Sequence, residues 1–105
     1  MSAEKKKSDA IQFLESKTGG PVTLGKLIEA IRLGEDMTQP ELAKKLGITK
    51  SHLNDIEKGR KAVSPERASR FAKRLGYSQS RFVRLSLQGL VDQAGLKLRV
   101  ELKAA

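Results

Sequence analysis

The chain has 105 residues, enough for one domain, with 21 Lys and Arg against 12 Asp and Glu and a formal net charge of +9. Zero Cys excludes a disulfide scaffold and Cys-ligated zinc, and one His excludes a multi-His metal site. The cationic surplus predicts a polyanionic partner without specifying a fold.

No apolar stretch approaches the ~18–20 residues that span a bilayer. The start, Met1-Ser2-Ala3-Glu4 followed by Lys5–Lys7, lacks the apolar core of a signal peptide, so a cytoplasmic protein with no membrane partner is expected. Ser8 is placed to cap a short helix through Ser16, which Gly19-Gly20-Pro21 breaks. Thr23 opens the next helix, where Leu24, Leu27, Ile28 and Ile31 recur at i, i+3, i+4 and i+7, and Gly34 is its expected stop. Thr38 caps a third, with Glu41 three residues on to close a capping box and Pro40 in the first turn; Leu42, Ala43 and Leu46 form its inner stripe.

Gly47 stops that helix and Thr49 caps the following one, with Leu53 and Ile56 inward and Gly59 at its end. Ser64-Pro65-Glu66 starts another, whose apolar face is Ala68, Phe71, Ala72 and Leu75, closed by Gly76. Ser78 opens the last, to about Gln93. After Gly95 the period changes. Leu96, Leu98, Val100 and Leu102 alternate with Lys97, Arg99 and Glu101, a half-buried strand by pattern.

The charge is not spread evenly. Residues 1–37 carry six basic and six acidic side chains, 38–61 six and three, 62–84 six and one, and 85–105 three and two. Nearly all the surplus therefore falls on the helical segment between Thr38 and Arg84. The run Lys5–Lys7 reads as a solvated terminus.

Thr38–Gly59 contains two short helices meeting at Gly47-Ile48-Thr49, the spacing of a helix-turn-helix. The turn requires a positive φ, supplied by Gly47, and the close crossing requires a small side chain, supplied by Ala43. Leu42, Leu46, Ile48, Leu53 and Ile56 complete an apolar wedge that fixes the second helix. Its N-terminal turn is then free to enter a major groove, which is wide enough for one helix.

The run Thr38-Gln39-Pro40-Glu41-Leu42-Ala43-Lys44-Lys45-Leu46-Gly47-Ile48-Thr49, with Ile56-Glu57-Lys58-Gly59-Arg60, resembles the DNA-binding domain of the Cro/repressor (XRE) family. The resemblance covers about Leu24 to Phe82. It implies an all-α, five-helix, lambda-repressor-like helix-turn-helix domain that binds operator DNA as a dimer. It further implies that Gln39 clamps a phosphate, that Lys50, Ser51, Asn54 and Asp55 read bases, and that Arg32 pairs with Glu57. The loop Arg60–Ser64 departs from the usual connection. Gln39, Lys50, Ser51, Asn54 and Asp55, with Thr49, His52, Lys58, Arg60 and Lys61, make the candidate DNA-binding set, and the Arg32–Glu57 pair is read as structural.

Side-chain chemistry leaves several roles open. Lys50 suits guanine O6/N7 or a phosphate, and Asn54 suits adenine or solvent. Asp55 either accepts from cytosine or holds Lys58 or Lys50. His52 makes a groove-edge or phosphate contact or lies on plain surface. The row Arg67, Arg70 and Arg74 flanks phosphates, faces an acidic partner, or is merely solvated.

The expected organisation is an N-terminal extension with a short helix over 1–22, a DNA-binding domain over 23–84, and a dimerisation segment over 85–105. A lone strand cannot satisfy its edge, so a second copy is its expected partner. Phe82, Leu85, Leu87, Leu90, Val91, Leu96, Leu98, Val100 and Leu102 are the expected contacts of this homodimer.

The leading reading is a repressor of double-stranded DNA operators. The alternative is an antitoxin that also binds a toxin protein and autorepresses its operon. No P-loop, Cys nucleophile or metal-ligand cluster occurs, so no catalytic residue, metal or cofactor is expected and the chain is not read as an enzyme. Phe13, Phe71, Tyr77 and Phe82 fall mostly at core positions, leaving few aromatics for stacking on RNA bases.

Overall fold

The computed structural model describes residues 22–105, which form an all-α domain of five helices. They are α1 (Leu24–Gly34), α2 (Gln39–Leu46), α3 (Lys50–Glu57), α4 (Pro65–Leu75) and α5 (Gln79–Gln93). The expected helix over Ser8–Ser16 and the run Lys5–Lys7 lie outside the described residues.

Each helix starts where a hydroxyl can replace a missing backbone partner. The side chains of Thr23, Thr38, Thr49, Ser64 and Ser78 accept from the backbone N–H three residues on. At α2 the box closes both ways: Glu41 N–H donates to Thr38 Oγ1 at 3.2 Å, and Thr38 N–H to Glu41 Oε1 at 2.9 Å. These bonds to the charged form hold the Glu41 carboxyl below its ordinary pKa.

α1 ends at Gly34 as expected, but the left-handed turn is not on the glycine: Glu35 is the cap, and the turn falls on Asp36 (φ 54). Asp tolerates this conformation better than most residues. The turn lets Met37 N–H reach Arg32 O at 2.9 Å, satisfying a carbonyl of the last helical turn.

The apolar stripes converge on one core. Leu27, Ile28, Leu42, Leu53, Ala68, Phe71, Ala72 and Phe82 are buried, with Met37, Ile48 and Tyr77 packed at its margin. α1 crosses α3 so closely that a Cβ on Gly25 would run into the carbonyl of Ile56. α5 packs mainly on α4 and more lightly on α1, running unbroken across positions 84 and 85.

The C-terminal segment corrects two expectations. Among the described residues there is no β-strand, and Leu96–Leu102 is irregular. The alternation is real, but a strand needs a neighbour to accept its ladder. Here the Gln88 carboxamide takes that place, donating to Leu98 O and accepting from Val100 N–H, each at 2.8 Å.

Of the expected dimer contacts, Phe82 and Leu85 are buried in the chain's own core. Leu87, Val91 and Val100 are half-buried, while Leu90, Leu96, Leu98 and Leu102 are exposed.

Candidate nucleic-acid interface

α2 and α3 meet at Gly47, whose φ of 75 places it in the left-handed region. Its N–H bonds Lys44 O, and Ile48 N–H bonds Ala43 O at 3.0 Å, closing α2 before Thr49 opens α3. Ile48 then packs against the core, fixing the turn. The first turn of α3 stands outward, with Lys50 and Ser51 exposed. Thr49 is also exposed, but its hydroxyl accepts from His52 N–H at 3.0 Å.

Behind this turn lies a polar network joining three helices. Glu57, with a fully buried side chain, receives Arg32 in a bidentate pair, Nε to Oε2 at 2.8 Å and Nη2 to Oε1 at 3.1 Å. The pair the resemblance implied is thus present. Arg32 Nη1 also donates to Met37 O at 3.2 Å. The neighbouring carboxylate holds the Arg32 pKa above its ordinary value, against the opposing effect of burial.

Gln39, the first residue of α2, gives its Nε2 to Glu57 Oε1 at 3.0 Å and to Asn54 Oδ1 at 3.2 Å. An amide nitrogen carries two hydrogens, so both are engaged. A phosphate clamp through this side chain would exchange one of those acceptors for a phosphate oxygen. Asn54 is accordingly half-buried and tied to α2, with its Oδ1 turned inward.

Asp55 does not hold Lys50 or Lys58. It pairs with Arg60 (Nε to Oδ1, 2.9 Å) and lies 3.8 Å from Lys61 Nζ. The reason is the turn after α3: Gly59 has φ 77, which swings the loop back so that Arg60 N–H bonds Asp55 O at 2.8 Å. Lys58, Arg60 and Lys61 are all exposed, forming a cationic rim at the far end of α3.

His52 is half-buried, with Nε2 at 3.3 Å from Arg67 Nη1 on α4. Burial, then the cations Arg67 and Lys61, push its pKa down, while Asp55 opposes them. The neutral ring therefore prevails near neutral pH and accepts from Arg67. The sequence showed the arginine row but carried no signal for this partner, because residues 52 and 67 meet only through the packing of α4. Among the described residues, no group of three or more His, Cys, Asp or Glu could hold a metal ion. No helix there is long and apolar enough to cross a membrane.

The arrangement is an exposed short helix start, a buried brace behind it and a cationic rim beyond it. Compared with models of known families, residues 28–79 match the one described as Helix-turn-helix. No curated protein and no solved structure matches the chain.

Proposed function

We propose, from the premise that residues 28–79 are a helix-turn-helix DNA-binding domain of XRE/Cro type, that this protein is a sequence-specific transcriptional repressor acting as a homodimer. Domains of this kind are non-catalytic. The observation that carries the reading is α3: its first turn is outward and cationic, while Gln39, Glu57 and Arg32 brace its inner side. Lys50 and Ser51 are the proposed base-reading residues, with Asn54 and Asp55 lining the same helix. Gln39, Thr49, Lys58, Arg60 and Lys61 are the proposed backbone contacts, and the salt dependence of binding follows from them.

The proposed dimer face is the outer stripe of α5, Leu87, Leu90 and Val91, together with Leu96, Leu98 and Leu102 of the segment after it. Two copies joined there present two α3 helices to one face of a duplex, about 34–36 Å apart or a multiple of it on a pseudo-palindromic site. Selecting bound sites from random duplexes tests this reading. An enriched palindrome supports it, and no enrichment over the starting pool overturns it. The exposed leucines also favour a second reading, an antitoxin whose C-terminal segment holds a toxin protein. Co-purification of the neighbouring gene's product distinguishes the two.

A further inference from the structure

α4 carries Arg67, Arg70 and Arg74 at i, i+3 and i+7, a single stripe of a helix. Two of the three reach the helix-turn-helix at separate points. Arg67 lies 3.3 Å from His52 on α3. Arg74 lies over the α2–α3 turn, where a Cβ on Gly47 would come within 2.5 Å of its Nη1. The ion pairs among the described residues join Arg32 to Glu57 and Asp55 to Arg60 and Lys61, so none includes an arginine of this stripe. A neutral imidazole can fix a guanidinium in place without neutralising it. Arg67 is therefore held beside the first turns of α3 with its charge uncompensated, which is what an anionic backbone needs.

We propose that Arg67 is a DNA-phosphate contact outside the helix-turn-helix, and that His52 is its positioning residue and does not read a base. The proposal rests on the DNA-binding reading above. The groups facing the His52 ring are Arg67 from α4, Lys61 from the loop after α3, and Asp55 from α3 itself. Protonation turns Nε2 from acceptor into donor and sets a second cation beside Arg67. Acid thus releases the guanidinium from its position.

The test measures binding of the full chain to a short mixed-sequence DNA duplex as a function of salt, since phosphate contacts are independent of sequence. Losing one contact lowers the slope of log Kobs against log[salt] by ~0.9. Arg67→Gln is expected to show that drop. His52→Ala should show a similar one, His52→Gln, which keeps an acceptor, should restore most of it, and the His52→Ala/Arg67→Gln double variant should lose no more than Arg67→Gln alone. Taking the pH from neutral to well below the ordinary histidine pKa of about 6.5 should narrow the gap between wild type and Arg67→Gln, which should stay constant in the His52→Gln background. Circular dichroism confirms that the variants compared are equally helical.

An unchanged slope for Arg67→Gln, with Lys58→Ala still lowering it, overturns the proposal and leaves the DNA-binding reading standing. His52→Gln behaving like His52→Ala overturns the positioning role. A wild-type chain that does not bind the duplex overturns the DNA-binding reading itself.

Discussion

Between Thr38 and Gly59, helix ends are closed by caps within their own segments and the buried Glu57 charge by partners on neighbouring helices; after Leu96, the chain is tied to α5 through the Gln88 carboxamide. Both regions contain regularly spaced apolar residues. In the first, Leu42, Leu46, Leu53 and Ile56 are almost fully buried, whereas Leu96 and Leu98 are 52% and 63% exposed. The difference shows what makes a local pattern into a fixed element. A helix satisfies its own backbone and needs a partner only for its apolar stripe, while an extended segment needs a partner for both.

The comparison breaks most severely at Glu57. Glu57→Ala strands Arg32 next to the core and removes an acceptor from Gln39, so it should cost about 3–5 kcal/mol in denaturant unfolding. A loss below ~1 kcal/mol would mean that the network is not what holds α3 against α1 and α2. A paired substitution is subtler because it predicts opposite signs. Gly25→Ala forces a methyl into the Ile56 carbonyl and should destabilise by about 1–3 kcal/mol. Gly89→Ala, on α5 with nothing within 4 Å of its Cβ, should stabilise by about 0.5–1 kcal/mol. Thermal melts of the two variants check both at once.

On DNA, Lys50→Ala should relax preference at one base pair by about 1–3 kcal/mol. Gln39→Ala should weaken binding to all sequences alike. Competition between selected and altered sites separates the two. The smallest effect is expected in the other region. Gln88→Ala should leave global stability within about 0.5 kcal/mol while abolishing hydrogen-exchange protection of the Val100 amide. If global unfolding shifted as well, the C-terminal segment would be part of the cooperative fold.

The starts of α1 to α5 were legible residue by residue, because a capping hydroxyl, a Pro in the first turn or a reaching Glu acts within a few residues of itself. So were the Gly47 turn and the inward stripes. The stop of α1 at Gly34 was legible too, but not the residue that makes its left-handed turn, which is Asp36. The proposed DNA-binding residues could be named from their places on α3, but their partners could not. Asp55 points to Arg60 and Lys61 because the loop returns over it, and His52 meets Arg67 across two helices.

By itself, the sequence determined five helices, their boundaries to within a residue or two, and a surplus of positive charge on the helix-turn-helix and the helix behind it. Those depend on interactions spanning a few positions along the chain. Tertiary structure alone decided that Phe82 and Leu85 belong to the core, that Gln39 is braced by Glu57 and Asn54, and that Leu96–Leu102 is held without a strand. Each of those outcomes depends on which surface lies opposite, and distant segments meet only once the helices have packed.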